Sequence, residues 1–369
     1  MVSEPLDSVA EVIAGLWIVY VSIVVLGGAA YFLYKPRKSL FRSTNYEIVV
    51  VSKADERVKN SLLEVVRYHL KKFGKLTVVI DEGAPLTNTL KSIKPLNLVI
   101  VPSSYRRDLM GKGRALNYFI ENHVIADKWY VFIDDDNLIL DESFLYEIPY
   151  YEEKGFAAGN GILIPRPGRS RIAYVMDWIR YVDDLTLYRF FTGLVSRPLL
   201  GLHGELLIAK GKVLREIGFT FKSITEDFRF ATELIKRGYK TWQSETRVSI
   251  KSPNSLKDLV KQRGRWFKGM LSDIKHSPLP MKLIVGFRSV IWSFNFASTL
   301  LIGPLLTYTG LIWMLIPGSL YYLTSYTYGV YRSGKPYMLL LIPFYGFIEA
   351  SSRVYGLINV NDFIVIDKN

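Results

Sequence analysis

The sequence of 369 residues contains no cysteine and only two glutamines, and two of its segments contain no charged residue at all. The absence of cysteine excludes disulfide bonds and thiolate metal sites and leaves the redox compartment open. The charge-free segments are residues 12–34 and 289–331, which are 23 and 43 residues long. Elsewhere bases outnumber acids, 47 to 34, for a formal net charge of +13. Both charge-free segments are long enough to be considered as membrane segments.

The first charge-free segment, residues 12–34, can span a hydrocarbon core of about 30 Å. It follows Glu4, Asp7 and Glu11 rather than a basic start, so we interpret it as a retained membrane helix and not as a cleaved signal peptide. The basic stretch KPRK follows at residues 35–38. The positive-inside rule therefore places the N-terminus outside and the middle of the chain in the cytoplasm. Residues 1–40 are expected to form this helix and a basic linker.

The second charge-free segment, residues 289–331, would be about 65 Å long as one helix, twice the thickness of a membrane. Basic residues flank it on both sides, which predicts a helical hairpin with both ends in the cytoplasm. The next apolar run, residues 337–348, is too short to span and is interpreted as interfacial or re-entrant. Residues 281–369 are therefore expected to form a C-terminal membrane region.

These segments together predict three spanning helices and an integral protein of the cell membrane, with a cytoplasmic catalytic region and C-terminus. The excess of basic residues is then explained by an anionic inner leaflet. Binding of nucleic acid, the other common explanation of a high pI, is not expected.

The remaining segment, residues 41–280, alternates strand and helix patterns and is expected to be one α/β domain. Apolar, β-branched runs separated by helices predict a parallel sheet that is covered on both faces. Open sheets of this kind bind ligands beyond the carboxyl ends of their strands. The predicted strands are 46–52, 76–80, 96–102 and 129–133, and the predicted helices are 56–73, 86–92 and 114–126. Polar residues follow the strands at 52–53, 81–82, 103–104 and 134–136.

Three consecutive aspartates, Asp134, Asp135 and Asp136, follow the buried strand 129–133. Adjacent carboxylates repel one another, so a positive group is expected nearby. A D-x-D pattern directs two carboxylates the same way, and Mg²⁺ or Mn²⁺ often combines such carboxylates with substrate phosphates. A metal site is one interpretation, and acids that only cap a turn are the other.

The segment GKGRALNYF, residues 111–119, begins a predicted helix with two glycines and two cations, Lys112 and Arg114. A helix N-terminus with free amides favours phosphate. A solvated helix start explains the same residues equally well. The glycine spacing does not match the dinucleotide-binding fingerprint, so a nicotinamide-dependent oxidoreductase is not supported.

Two further motifs carry candidate chemistry. Glu226 and Asp227 precede an amphipathic helix, where they could cap it or where a carboxylate could take a proton from an acceptor hydroxyl. The segment QRGRWFKG, residues 262–269, combines two arginines with Trp266. The arginines could contact lipid head groups or hold a departing diphosphate, and the indole could stack on a sugar ring.

In this order, D-D-D, T-E-D and Q-R-x-R-W followed by membrane helices resemble family 2 glycosyltransferases of the cellulose-synthase-like membrane branch. The resemblance covers residues 46–269. The segments IGPLL (302–306) and NDFIVIDK (361–368) resemble the egghead-type β-1,4-mannosyltransferases and their archaeal relatives. The resemblance implies a GT-A, Rossmann-like nucleotide-sugar domain on a small helical membrane domain.

The resemblance also implies residue roles. Asp227 would be the catalytic base, ionised at an ordinary pKa of about 3.9, with Glu226 beside it and Arg265 stabilising the leaving group. Asp136 would hold Mn²⁺ or Mg²⁺. Nucleotide-sugar contacts would come from Lys53, Asp55, Asp81, Lys112, Asp134 and Asp135, and contacts to the acceptor or diphosphate from Gln262, Arg263 and Trp266.

The resemblance implies metal-dependent, inverting transfer of mannose from GDP-mannose, and the expected acceptor is linked to dolichyl or polyprenyl phosphate. Three spanning helices can line a groove but hardly enclose a polymer tunnel, which favours a lipid-linked acceptor. The accepting group could be a hydroxyl of a lipid-linked sugar or the lipid phosphate itself. A processive β-glycan synthase using a UDP-sugar and a non-catalytic membrane scaffold remain alternatives.

Overall fold

The computed structural model describes residues 4–109, 111–289, 303–304, 306–308, 310 and 312–360. The strands in these residues are β1 (Tyr46–Val51), β2 (Thr77–Asp81), β3 (Asn97–Val101), β4 (Trp129–Ile133), β5 (Leu138–Ile139), β6 (Phe156–Arg166), β7 (Leu207–Lys210) and β8 (Lys240–Lys251). The helices are α1 (Glu4–Leu33), α2 (Lys59–Phe73), α3 (Thr87–Lys91), α4 (Gly113–His123), α5 (Ser143–Glu153), α6 (Arg171–Leu185), α7 (Gly211–Ile217), α8 (Glu226–Lys236), α9 (Leu256–Ile274), α10 (Leu279–Phe287), α11 (Leu315–Arg332) and α12 (Ile342–Asn359). A π-helical segment covers Arg189–Leu194, and 3-10 segments cover Ile312–Met314 and Pro336–Leu341.

The eight strands form one sheet in the order β3-β2-β1-β4-β7-β6-β8-β5. Strands β1 to β4 pair in parallel, which confirms that part of the prediction. The other half is mixed, because β7 is antiparallel to both β4 and β6, and β5 is antiparallel to β8. The chain leaves β6 through α6 and residues 186–206 and returns along β7 in the opposite direction. The four predicted strands are thus the parallel half of the sheet, and the mixed half was not predicted from the sequence.

Both faces of the parallel half are buried, as predicted. In β1, Ile48 and Val50 belong to one hydrophobic cluster and Val49 to another, and all three are completely buried. Leu62 of α2 packs in the first cluster and Phe119 of α4 in the second. Strands covered on both faces read as continuous apolar runs. This is why their positions were predictable within three residues.

A layer of helices lies beside the sheet and holds α9 in place. Side chains of α6, α9, α11 and α12 share one hydrophobic cluster. Helices α9 and α12 cross closely at Gly264, where a Cβ would lie 2.9 Å from the Ser352 carbonyl oxygen and 3.0 Å from the Gly356 nitrogen. Small residues permit such a backbone approach. The crossing fixes the rotation of α9, so one face of this helix points away from α12.

One helix among the described residues is long and apolar enough to cross a membrane, at Gly15–Leu33 within α1. This position agrees with the first predicted span. Part of the predicted hairpin, residues 290–302, 305, 309 and 311, lies outside the described residues, as does the NDFIVIDK segment and part of IGPLL. The predicted interfacial run 337–348 is divided between a 3-10 segment and the start of α12.

Candidate active site

A cleft opens at the carboxyl ends of the parallel strands. Its volume is about 1340 Å³ when the part open to solvent is included. Helices α6, α8 and α9 and residues 204–205 contribute its other wall. The structure brings together here all but two of the residues predicted from the sequence, namely Lys53, Asp81, Lys112, Asp134, Asp135, Asp136, Glu226, Asp227, Gln262, Arg265 and Trp266.

The positive charge expected beside the three aspartates comes from the start of α4. Lys112, directly before this helix, forms an ion pair with Asp134. Two residues later, Arg114 donates from Nη1 to Asp81 Oδ1 at 2.5 Å. The two cations of the glycine-containing segment therefore contact the carboxylates at the ends of two strands. Lys112 lines the cleft, whereas Arg114 is not among its lining residues and contacts it through Asp81.

The aspartate turn is held from several sides. The Ser52 hydroxyl donates to Asp135 Oδ2 at 2.6 Å. Arg166 donates to the backbone oxygen of Asp136 at 2.7 Å, and the Asp136 residue is only 1% exposed. Asn137 donates from its side chain to the Glu205 carbonyl oxygen at 3.1 Å. These contacts join the turn after β4 to the opposite wall of the cleft.

Asp227 lies on that opposite wall, in the first turn of α8. Its Oδ2 accepts from the Gly204 amide at 2.9 Å, and its Oδ1 accepts from the Phe228 amide at 2.8 Å. Burial, with the negative charges of Glu226 and Glu205, raises the pKa of Asp227 to about 7. The expectation of an ordinary aspartate pKa is thus wrong. A general base works best when its pKa is near the operating pH, so this carboxylate is suited to proton transfer.

The loop that carries Gly204 is fixed by Asn160 of β6, a residue that sequence reasoning missed. Asn160 is completely buried, accepts from the His203 amide at 2.9 Å, and donates to the carbonyl oxygens of His203 at 3.1 Å and Leu206 at 2.7 Å. His203 Nε2 also lies 2.7 Å from Asp184 Oδ1. No local motif marks an asparagine inside a strand as part of a site.

Arg180 of α6 is a second residue that the sequence did not reveal. It forms an ion pair with Glu205 at 2.9 Å, and its guanidinium lies 4.6 Å from the centre of the Trp266 ring. Burial alone would raise the pKa of Glu205, but the charges of Arg180 and His203, together with hydrogen bonds to the carboxylate, outweigh it and lower this pKa to about 2. One face of the indole is thus already covered by a cation. Asp177, one turn earlier on α6, also lines the cleft.

Helix α9 directs Gln262, Arg265 and Trp266 toward the cleft, at the i, i+3 and i+4 spacing of one helix face. Arg263 points elsewhere. It is buried, forms ion pairs with Glu349 and Asp177, and does not line the cleft. Its predicted role in binding the acceptor or diphosphate is corrected accordingly, since it joins α9 to α12 and α6.

Asp55 is the other predicted residue that lies outside the cleft. Its carboxylate pairs with Arg57 at 2.5 Å, two residues away on the same loop. The Arg57 side chain lowers the pKa of Asp55. The predicted contact of Asp55 with the nucleotide is therefore not supported by its position, whereas the neighbouring Lys53 does line the cleft.

Among the described residues, no three histidine, cysteine, aspartate or glutamate side chains are grouped so that they could hold a metal by themselves. The side-chain donors at the turn after β4 are the carboxylate oxygens of Asp134, Asp135 and Asp136 and the amide oxygen of Asn137. Such a donor set suits a hard divalent cation that takes its other ligands from phosphates or water. The residues present therefore fit a metal site that is completed by phosphate or water ligands, and not one made of protein side chains alone.

The mixed sheet, with this cleft at the ends of its parallel strands, has the GT-A architecture of a glycosyltransferase domain. The family model for glycosyl transferase family group 2 matches residues 129–326, just over half of the chain. The chain belongs to this family, and it is a glycosyltransferase.

Individual relatives are mannosyltransferases. The chain is 26% identical over 306 residues to beta-1,4-mannosyltransferase bre-3 of Caenorhabditis briggsae, covering 73% of this chain and 67% of that protein. It is 25% identical over 229 residues to beta-1,4-mannosyltransferase egh of Drosophila melanogaster, covering 59% of this chain but about half, 49%, of that protein. The mannosyltransferase PcManGT from Pyrobaculum calidifontis, solved with GDP-Man and Mn²⁺, shares the fold at a TM-score of 0.56. That match has 14% identity and covers 93% of this chain and 99% of that one.

Proposed function

We propose that the protein transfers mannose from GDP-mannose to a lipid-linked acceptor at the cytoplasmic face of the cell membrane, with inversion at the anomeric carbon. The observation that carries this proposal is the arrangement of the cleft. Asp227, with a pKa near 7, lies on one wall, and the Asp134–Asp136 turn with Lys112 lies on the other. The mannosyltransferase relatives support mannose as the transferred sugar.

The proposed step is a single displacement. A hydroxyl oxygen of the acceptor attacks C1 of the α-linked mannosyl group while the bond from C1 to the β-phosphate oxygen breaks. GDP leaves with the electron pair, and the hydroxyl proton moves to the Asp227 carboxylate. Attack from the face opposite the leaving group gives a β-linked mannoside. Lys112 and Arg265 stabilise the negative charge that develops on the diphosphate, where preorganised positive groups act most strongly.

Asp136 would hold Mn²⁺ or Mg²⁺ in this site. A bound divalent ion would neutralise charge on the donor diphosphate. We expect activity to be lost in excess chelator and restored by Mn²⁺ or Mg²⁺. The matching binding experiment is calorimetry of GDP with and without Mn²⁺, in which Asp136→Asn should remove the gain in affinity from the metal. Full turnover in excess chelator would show that Asp136 does not act by holding a metal ion.

The nucleotide is proposed to bind between Lys53 and Asp81, both of which line the cleft. A pocket that hydrogen-bonds one base leaves polar groups unpaired when offered the other, at a cost of about 1–3 kcal/mol per group. GDP is therefore expected to bind about tenfold more tightly than UDP, or better. Equal affinities in calorimetry would redirect the proposal toward a UDP-sugar.

Exposed apolar side chains support a membrane location and a lipid-linked acceptor. They include Ile18 and Val25 on α1, which are 49% and 54% exposed, and Phe347 and Ile358 on α12, which are 66% and 71% exposed. Exposed apolar side chains on a helix that is long and apolar enough to span a membrane are typical of contact with lipid. We propose three spanning helices, with the N-terminus outside. The acceptor is proposed to be linked to dolichyl or polyprenyl phosphate and to react through a sugar hydroxyl, because an ionised phosphate would need no base.

The experiment that tests the function presents the purified full chain with radiolabelled GDP-mannose, UDP-glucose and UDP-N-acetylglucosamine, Mn²⁺ and a lipid extract. The expected result is label from GDP-mannose in an organic-extractable product carrying one added sugar. Long polymer from a UDP-sugar would instead identify a processive synthase. Asp227→Asn is the matched inactive control.

A further inference from the structure

Part of the connection between α6 and β7 packs along the last two turns of α1. A Cβ at Gly27 of α1 would lie 2.5 Å from Leu187 Cδ2, and a Cβ at Gly193 would lie 2.7 Å from the Tyr34 ring. The two glycines permit close contact at two levels, one inside the candidate membrane span of α1 and one directly after it. Segment 187–195 therefore lies beside the end of the span on which the proposed membrane location depends.

Two side chains hold this arrangement together. The Tyr34 hydroxyl donates to the Gln243 carbonyl oxygen of β8 at 2.8 Å and accepts from the Gln243 amide at 3.1 Å. Arg189 donates to the Tyr31 carbonyl oxygen of α1 at 3.1 Å, and its guanidinium lies 5.7 Å from the centre of the Tyr31 ring. Tyrosine and arginine commonly occupy the boundary between hydrocarbon and water. The end of α1, segment 187–195 and β8 thus form one packed unit.

The tip of segment 187–195 presents two apolar side chains to its surroundings. Leu194 is 46% exposed and Val195 is 42% exposed. Phe32 at the end of α1 is exposed as well, and so is the cation of Lys35 that follows this helix. Apolar side chains next to a cation are complementary to the interfacial layer of a bilayer, where acyl chains meet head groups.

Backbone groups around this tip are paired within the protein. The Val195 amide donates to the Phe190 carbonyl oxygen at 2.9 Å, in the π-helical pattern. The Ser196 hydroxyl donates to the Gly193 carbonyl oxygen at 3.1 Å, and the Ser196 carbonyl oxygen accepts from the Thr241 amide at 3.1 Å. Unpaired backbone groups are strongly disfavoured in hydrocarbon. The tip can therefore leave water without stranding these groups.

We propose that segment 187–195 is a second membrane-contacting element, whose tip residues Leu194 and Val195 enter the interfacial layer of the bilayer beside the end of α1. This inference rests on the proposed membrane location, and it goes beyond it because these residues belong neither to α1 nor to the predicted hairpin. The chain continues from the tip to the loop of Gly204, whose amide donates to Asp227. The contact thus ties the catalytic wall of the cleft to the bilayer surface, in addition to the attachment through α1.

The test measures where single side chains lie relative to lipid. The chain contains no cysteine, so each of four variants carries one nitroxide label, at Leu194→Cys, Val195→Cys, Phe32→Cys or Ile125→Cys. The labelled full chains are placed in lipid nanodiscs. Electron paramagnetic resonance then gives the accessibility of each label to oxygen, which dissolves in lipid, and to a nickel chelate, which stays in water.

Two of these positions are references. Phe32 reports the end of the span itself. Ile125 is the matched control, because it is an apolar side chain that is 60% exposed, on the loop between α4 and β4. Two strands separate β4 from β8, to which the end of α1 is attached. Leu194 and Val195 are expected to resemble Phe32, with a ratio of oxygen to nickel accessibility about tenfold above that of Ile125.

Ratios at Leu194 and Val195 equal to that of Ile125, with Phe32 in lipid, would overturn the inference and leave the membrane location intact. Low accessibility to both reagents would also overturn it, because protein and not lipid would then cover the tip. If Phe32 also reports water, the membrane location fails together with the inference. Labels in lipid on a protein that does not turn over GDP-mannose would refute the proposed donor and leave the membrane contact supported.

Discussion

The two walls of the cleft hold their carboxylates in opposite ways. On the strand side, Asp81 and Asp134 each contact a cation from the start of α4, through Arg114 and Lys112. On the helix side, Asp227 accepts backbone amides and lies near two other acids, so that its pKa is raised to about 7. The strand side thus keeps fixed charges in place, and the helix side keeps one carboxylate able to exchange a proton.

Under the proposed function, this contrast assigns the diphosphate to one wall of the cleft and removal of the proton to the other. The ion-paired carboxylates of the strand side hold cations at the edge of the cleft. A general base needs a different environment, in which the protonated and the ionised states of the group are close in free energy at the working pH. The account therefore predicts that changes on the strand side alter donor affinity and that changes on the helix side alter the rate and its pH dependence.

The largest expected effect is that of Asp227→Asn. The amide keeps the shape of the side chain but cannot accept the hydroxyl proton, so transfer should fall by about 10² to 10⁴. Affinity for GDP should stay within twofold of wild type, roughly the error of a calorimetric comparison. Glu233→Gln, further along α8 and outside the cleft, is the matched control. A parallel loss of binding and turnover in Asp227→Asn would mean that this residue only caps α8.

On the strand side, Lys112→Met should weaken GDP binding. A hydrogen bond to a charged group contributes about 1.5–3 kcal/mol, which corresponds to roughly tenfold to a hundredfold in affinity. The rate at saturating donor should change less than the affinity does. Calorimetry and initial rates measure the two effects separately, with the exposed Lys91→Met as control. A lower rate with unchanged GDP affinity would reverse the assignment of the two walls.

Asn160→Ala should change the helix side of the cleft, although Asn160 contacts neither substrate. Loss of its contacts frees the loop that places the Gly204 amide on Asp227. Because that amide favours the ionised carboxylate, the pKa of Asp227 should rise and the pH–rate profile should move to higher pH. The rate at neutral pH should fall about tenfold, as for a displaced catalytic group.

Circular dichroism and GDP affinity serve as the folding controls for Asn160→Ala. Asn160→Asp keeps the acceptor for the His203 amide and should be intermediate in rate. A uniform loss of rate at every pH, with no shift of the pH–rate profile, would argue that Asn160 does not position the Gly204 amide on Asp227.

The smallest effect is expected from Glu226→Gln. In wild type, the rate should rise about tenfold per pH unit up to about pH 7, since Asp227 must lose its proton to act as base. Removing the neighbouring charge lowers the pKa of Asp227, so the rise should occur at lower pH. Rates well above pH 7 should stay close to those of wild type. An unshifted profile would show that Glu226 does not raise this pKa.

The strand side of the cleft was predictable from sequence because its signals are local. A buried strand such as β4 is recognised by its own apolar run, and parallel strand ends meet at one edge of the sheet. Asp81 and Asp134 could therefore be placed together before any contact was known. The antiparallel pairing of β7 with β4 and β6 was not predictable in this way, since no short-range pattern connects strands so far apart in the chain.

The helix side was predictable only in part. Asp227 was found through its motif, but its pKa depends on burial and on Glu205, which no motif connects to it. Arg263 was misplaced because adjacent residues of a helix differ by about 100° in direction. Gln262, Arg265 and Trp266 share one face of the helix, and Arg263 does not lie on that face. This comparison would have excluded Arg263 from the cleft. Asn160 acts through contacts with a loop more than forty residues away, which only the folded chain reveals.

The most direct test of the whole account is the anomeric configuration of the product. GDP-mannose is α-linked, and attack by a hydroxyl from the Asp227 wall on a donor held at the Asp134–Asp136 wall inverts that centre. Nuclear magnetic resonance of the purified glycolipid, through the one-bond coupling between C1 and its proton, should show a β-mannoside. An α-mannoside would contradict the displacement described here and the role of Asp227 as base.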